Sequence, residues 1–133
     1  AVETTLKGLE IELPEGQGFH DKDGHARRHI RTRWWQSAPA TYLDVALVPK
    51  AALNAIPDLP VGDGVLPGYA NDKPLFVGHY WRRGQPGPLR DNLACLDYSA
   101  VKNGKLVAYR LDQEVRLDPA KFVWVDVCAV FRT

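Results

Sequence analysis

The chain has 133 residues, 45% hydrophobic and 25% charged, a composition that describes one globular domain spanning 1–133 and excludes a disordered or collagen-like polypeptide. Seventeen Lys and Arg face sixteen Asp and Glu, so the net charge is +1 and no whole-molecule field draws the chain to nucleic acid or an anionic membrane. The longest apolar stretch, 122–131, is broken by Asp126 and falls well short of the roughly twenty residues a bilayer span requires.

Val2, Leu6 and Leu9 share one face at helical spacing, with Gly8 and Pro14 closing the segment, so 2–9 reads as the end of a helix. Residues 15–26 hold Gly16, Gly18 and the turn sequence DKDG at 21–24, and they read as loop. Residues 29–35 alternate basic with other side chains, as an exposed strand or ordered loop does. The apolar, β-branched run 41–48 predicts a strand, and Pro49 then opens a short helix over 50–56. Prolines 57, 60, 67 and 74 with glycines 62, 64 and 68 leave 57–74 as a long surface loop.

Beyond it, 75–80 is a compact apolar strand carrying Gly78 and His79 near its end, and the breakers at 84–88 form the next loop. Residues 92–98 and 105–111 alternate as two strands around Asn103-Gly104, a tight-hairpin pair. Residues 114–117 and 122–131 predict two more strands. The expected class is α+β: an antiparallel meander from the carboxyl-terminal half, with two short helices nearer the start.

Cys95 and Cys128 lie in apolar segments and form no Cys-x-x-Cys pair, which points to reduced core thiols and a cytoplasmic address. The first residues have neither the basic start nor the apolar core of a signal peptide.

Three constellations carry chemistry. His20, Asp21, Asp23, His25 and His29 are ligand types at close spacing, but they complete no metal template. A solvated turn is the favoured reading. Arg27, Arg28, Arg31 and Arg33 precede Trp34 and Trp35, a set that pairs with phosphates and stacks on bases in single-stranded nucleic-acid binders. The favoured reading buries both indoles and leaves the arginines to the surface or to acidic partners, because the net charge supplies no supporting field. Finally, the strand 75–80 delivers His79 at its carboxyl end, where a side chain is held rigidly at the edge of a cleft and suits a metal ligand. On pattern alone a structural histidine is the favoured reading, since one imidazole cannot retain a catalytic metal.

The stretches FVGHYW at 76–81, NLACLDYS at 92–99, NGKLVAYR at 103–110 and KFVW at 121–124 resemble the carboxyl-terminal part of bacterial calcineurin-like metallophosphoesterases. LKGL at 6–9, DKDG at 21–24 and IRTRWW at 30–35 extend the resemblance over nearly the whole chain. It implies that His79 is a late ligand of a two-metal centre binding divalent ions such as manganese. It also implies that the meander is one layer of a four-layer α/β/β/α sandwich. In the intact enzyme Arg82 and Arg83, next in the chain, stand where a guanidinium pairs bidentately with substrate phosphate; a solvated loop is the favoured reading. The family's earlier motifs, Asp-x-His, Gly-Asp-x-x-Asp-Arg-Gly and Gly-Asn-His-Glu, have no proper counterpart: Asp23-Gly24-His25 follows polar residues rather than an apolar strand, and no Asn precedes a His.

Two-metal hydrolysis needs several ligands to fix both ions. The chain therefore reads as the carboxyl-terminal segment of a phosphoesterase whose amino-terminal half is missing, inactive when isolated. Its expected partners are a phosphate-ester substrate in the intact enzyme and either the missing half or a second copy. The alternatives are a nucleic-acid-binding module built on 27–35 and a dimerising structural remnant with an uncovered apolar sheet face.

Overall fold

The computed structural model describes residues 7–36 and 39–127, in two compact units, Ala1–Ala70 and Asn71–Thr133. Its elements are several small, mainly antiparallel sheets and two short helices, an α+β arrangement. Among the described residues no helix is long and apolar enough to cross a membrane.

In the first unit, β1 (Glu10–Glu12), β4 (His29–Thr32) and β5 (Ala46–Leu47) form an antiparallel sheet in the order β1-β4-β5. Register pairs Ile11 with Ile30, and the two-residue side-chain period sends both into the core while Glu10, Glu12 and His29 face solvent. Around them gather Leu13, Phe19, Val45, Ala46, Ala52 and Ile56. Thr32 is fully buried on β4, and its hydroxyl donates to the Leu9 carbonyl at 2.9 Å, so the polar group is satisfied inside the core. Of the helix expected over 2–9, only its end lies within the described residues: Lys7 is helical, and Gly8 at φ +90° closes it in a conformation that costs glycine little.

Three expectations for this unit change. The loop 15–26 contains a hairpin of β2 (Phe19–His20) and β3 (Ala26–Arg27) around the DKDG turn. The strand expected at 41–48 is a one-turn helix, Tyr42–Val45, followed by β5. Thr41 Oγ1 accepts from the Asp44 N–H, and the Asp44 carboxylate accepts from the Thr41 N–H at 2.8 Å. This reciprocal cap satisfies amides at a helix start and overrides the β-branched propensity. The helix at 50–56 is a 3-10 segment, Lys50–Ala55, that buries Ala52. The breaker-rich 57–70 has no regular element and is pinned by backbone bonds from Tyr42 to Leu59, Val61 to Ala40 and Gly68 to Trp34.

In the second unit, β8 (Asp97–Tyr98), β9 (Lys105–Tyr109) and β10 (Phe122–Asp126) form the expected meander in the order β10-β9-β8. Val107 and Phe122 pack with Ala94, Tyr98 and Leu117 on one face. Residues 128–131 of the expected last strand, with Cys128, lie outside the described residues.

The strand expected at 75–80 is shorter, β6 (Leu75–Val77), and pairs in parallel with β7 (Leu93–Cys95). The carboxyl-terminal half is therefore not purely antiparallel. A parallel pair needs a long crossover, and residues 78–92 with their Gly and Pro breakers supply it. β7 is buried along its whole length, Leu93, Ala94 and Cys95 all being inaccessible. The strand expected at 114–117 does not form. Glu114 instead accepts from the Tyr109 hydroxyl at 2.8 Å, while Leu117 drops into the core and bonds its amide to the Asp91 carbonyl.

The turn joining β8 to β9 is wider than a two-residue hairpin. A 3-10 turn at Ala100–Lys102 intervenes, with Ser99 and Asn103 both left-handed. Gly104 is required there for close approach, since a Cβ would sit 2.0 Å from the Tyr98 carbonyl oxygen.

Candidate functional site

After Val77 the chain leaves β6 through Gly78 and enters a run of unusual backbone. His79 and Trp81 take positive φ, +66° and +50°, and both are exposed. Their rings lie 6.5 Å apart and tilted by 56°. The left-handed region is rare for bulky side chains and costs energy that surrounding contacts must supply.

Asp97 on β8 supplies them. Its Oδ2 accepts from the Trp81 amide at 3.1 Å, its Oδ1 from the Ser99 amide at 3.0 Å, and its carbonyl from the Arg82 amide at 3.0 Å. Ser99, 1% exposed, returns the tie by donating its hydroxyl to the Arg82 carbonyl at 3.0 Å. Asp97 and Ser99 are thus the clamp that holds the 79–83 loop. The signal for it was present in the Asp97-x-Ser99 spacing, which favours a local side-chain-to-amide turn.

The two arginines part ways. The Arg82 guanidinium lies 5.7 Å over the Tyr98 ring, and its Nε is shielded from solvent without a hydrogen-bond partner. Arg83 is exposed and forms no ion pair among the described residues. Lys102 stacks its ammonium 4.2 Å from the Trp81 ring centre, a cation–π contact that reinforces the loop from the far side of the β8–β9 turn. Cys95, the last residue of β7, is inaccessible, and burial pushes its thiol above the ordinary range.

Among the described residues, His79 belongs to no group that could hold a metal ion. The one group of three or more potential ligands among the described residues is Asp21, Asp23 and His25, with ligand atoms within 4.8 Å of one another. That group is a closed turn. Asp21 Oδ1 accepts from the Asp23 and His25 amides, each at 2.9 Å, and Oδ2 from Arg27 Nε at 2.8 Å. The His25 amide bond, then the Arg27 contact, lowers the Asp21 pKa to about 2. The carboxylate is spent on the hairpin, and His20 and His29 stand exposed on β2 and β4.

The basic-aromatic run resolves in the same way. Arg27 pairs with Asp21, Arg28 with Glu12 at 3.1 Å, and Arg33 donates to the Asp44 carbonyl at 2.8 Å. Trp34 and Trp35 are both buried and meet edge to face at 5.9 Å, so neither offers a free ring to a base.

One polar network had no counterpart in the sequence reading. The Tyr109 hydroxyl donates to Glu114 and accepts from the Asp118 amide at 2.9 Å, and Lys121 bridges Asp112 and Glu114 at 2.9 and 3.0 Å. The Tyr109 bond is the largest influence holding Glu114 down at about 2. The sequence matches no protein-family model, and no curated protein or solved structure is detectably similar to the chain.

Proposed function

We propose that this chain is the carboxyl-terminal portion of a metal-dependent phosphoesterase, to which it contributes His79 as one ligand of a two-metal centre. The observation that carries the reading is the presentation of His79: exposed, just past the end of β6, on a strained backbone held by the Asp97 clamp. Strain of 1 to 3 kcal/mol per residue, on the order expected for such conformations, is retained where a side chain must be aimed. In the calcineurin-like phosphoesterases that the sequence resembles, a Gly-His at a strand end supplies a metal ligand, and Gly78-His79 would be its counterpart.

No second and third ligand accompany His79 among the described residues, so those residues would not by themselves fix a catalytic ion. The remaining ligands belong to polypeptide outside this chain, and the isolated protein is catalytically silent. Of the two arginines, Arg83 is the one able to meet an anionic substrate oxygen, since Arg82 is committed to the Tyr98 ring. The reading also accounts for an uncovered apolar face on β9 and β10, where Leu106 and Val125 oppose each other in register, each more than 60% exposed. The missing part of the layered fold, or failing that a second copy, would cover it. A buried free thiol at Cys95 suits a reducing, cytoplasmic compartment.

The test is hydrolysis of p-nitrophenyl phosphate with manganese. The isolated chain gives no turnover. The full-length protein encoded by the parent reading frame gives turnover that His79→Ala abolishes. His79-dependent hydrolysis by the isolated chain overturns the claim of a silent fragment, and full activity in the His79→Ala enzyme overturns the ligand assignment.

A further inference from the structure

The second unit contains a cavity of about 330 Å³ lined by Arg83, Gln85, Tyr98, Asn103, Lys105 and Asp126. This volume lies at the small end of the range for small-molecule sites. His79 is not among its walls, so it is a separate feature from the strand-end histidine.

Its charge is unbalanced. Lys105 and Asp126 face each other across the β9–β10 pair and form an ion pair. Arg83 has no acidic partner among the described residues, which leaves the cavity walls one positive charge in excess. The Asp126 side chain is 68% exposed, so its hold on Lys105 is screened by water and open to competition from another anion. Gln85 and Asn103 add side-chain amides able to donate, and Asn103 is held at φ +57° by the β8–β9 turn.

We propose that this cavity binds a phosphate group, free or as a monoester, anchored by the Arg83 guanidinium and shared with Lys105. A guanidinium fork, an ammonium and two amides present more donors than the two oxygens of a carboxylate can use. The three terminal oxygens of a phosphate monoester suit them better, and its double charge matches two cations once Asp126 yields Lys105. The inference shares Arg83 with the phosphoesterase reading but calls on neither His79 nor a metal, so a titration with EDTA present and the hydrolysis assay above fail independently of each other.

The experiment titrates inorganic phosphate and, in a parallel arm, phenyl phosphate into the protein with EDTA present and ionic strength held with chloride. Calorimetry and the amide resonances of Gly84, Asn103 and Gly104 report binding. Saturable binding is expected, weakened about tenfold or more by Arg83→Ala, as loss of a charged hydrogen bond predicts. Asp126→Asn, which removes the competing carboxylate, tightens binding by about two- to fivefold. Tighter binding of phenyl phosphate identifies an ester as the ligand; equal or tighter binding of inorganic phosphate identifies the free ion. Arg83→Gln repeats the measurement should the alanine variant fold poorly. Shifts that do not saturate, an equal response to added chloride, or unchanged affinity in both Arg83 variants overturn the proposal.

Discussion

The two units handle their chemically suggestive residues in opposite ways. In Ala1–Ala70 they neutralise one another: Asp21 is consumed by its own turn and Arg27, Arg28 meets Glu12, Arg33 meets a carbonyl, and both tryptophans are inside. In Asn71–Thr133 satisfaction is incomplete. All four described non-glycine residues with positive φ, His79, Trp81, Ser99 and Asn103, lie here, beside a partnerless Arg82 Nε and an uncovered apolar face. Ligand-type residues close in sequence are weak evidence of a site, because neighbours satisfy each other first. Residual strain and unmet bonding are better evidence, since a fold keeps them only when something else requires them.

The strongest way to test whether the strained loop rests on a rigid base is Leu93→Ala. Leu93 is fully buried on β7, and its truncation is expected to lower unfolding free energy by about 2–5 kcal/mol in urea titration. A loss below about 1 kcal/mol would show that β7 is not the support. Next in size, Gly104→Ala drives a methyl into the Tyr98 and Ser99 carbonyls and should cost about 1–3 kcal/mol. Gly24→Ala in the first unit, with open space but φ +81°, should cost no more than about 1–2 kcal/mol from backbone strain alone. Equal losses would erase the contrast between a crowded glycine and a merely left-handed one.

A smaller effect has the opposite sign. His79→Gly relieves a left-handed side chain and should raise stability by up to about 1 kcal/mol; under the proposed ligand role it should also remove activity from the proposed parent enzyme. A destabilised variant would mean that the backbone at His79 is not strained, and the argument for aiming would fail.

The gentlest probe is acid. Asp21 and Glu114 are both depressed to about 2 in the folded chain, from 3.8 and 4.5. A lowered carboxyl pKa stabilises the fold fully above its ordinary value and ceases to do so as pH falls through the folded one. Both contributions should therefore fade between about pH 4.5 and 2, seen by carboxyl-carbon NMR with circular dichroism. Asp21→Asn should remove only the part arising in the β2–β3 hairpin. If the Asp21 resonance titrates near 4, the closed turn is not present in solution.

Much of the fold was readable where the deciding forces are local. The alternation at 105–109, the breakers of 57–74 and the turn chemistry at 21–24 act within a few residues, and they appear in the structure where the residues put them. The Thr41–Asp44 cap was equally local, yet a β-branched run masked it. The candidate site was readable only as a histidine at a strand end. Its support, Asp97, acts sixteen residues away on Trp81, and no periodicity reports such a pair.

By itself, then, the sequence determined the turn at 21–24, the strand at 105–109 and the balance of charge, because backbone sterics and side-chain alternation are properties of neighbours. Only the tertiary structure decided that β6 lies parallel to β7, that Trp34 and Trp35 face inward, and that Arg82 and Arg83 have separate fates. Those outcomes depend on which distant segments share a core, where burial and hydrogen-bond satisfaction are settled jointly and no single stretch of chain carries the answer.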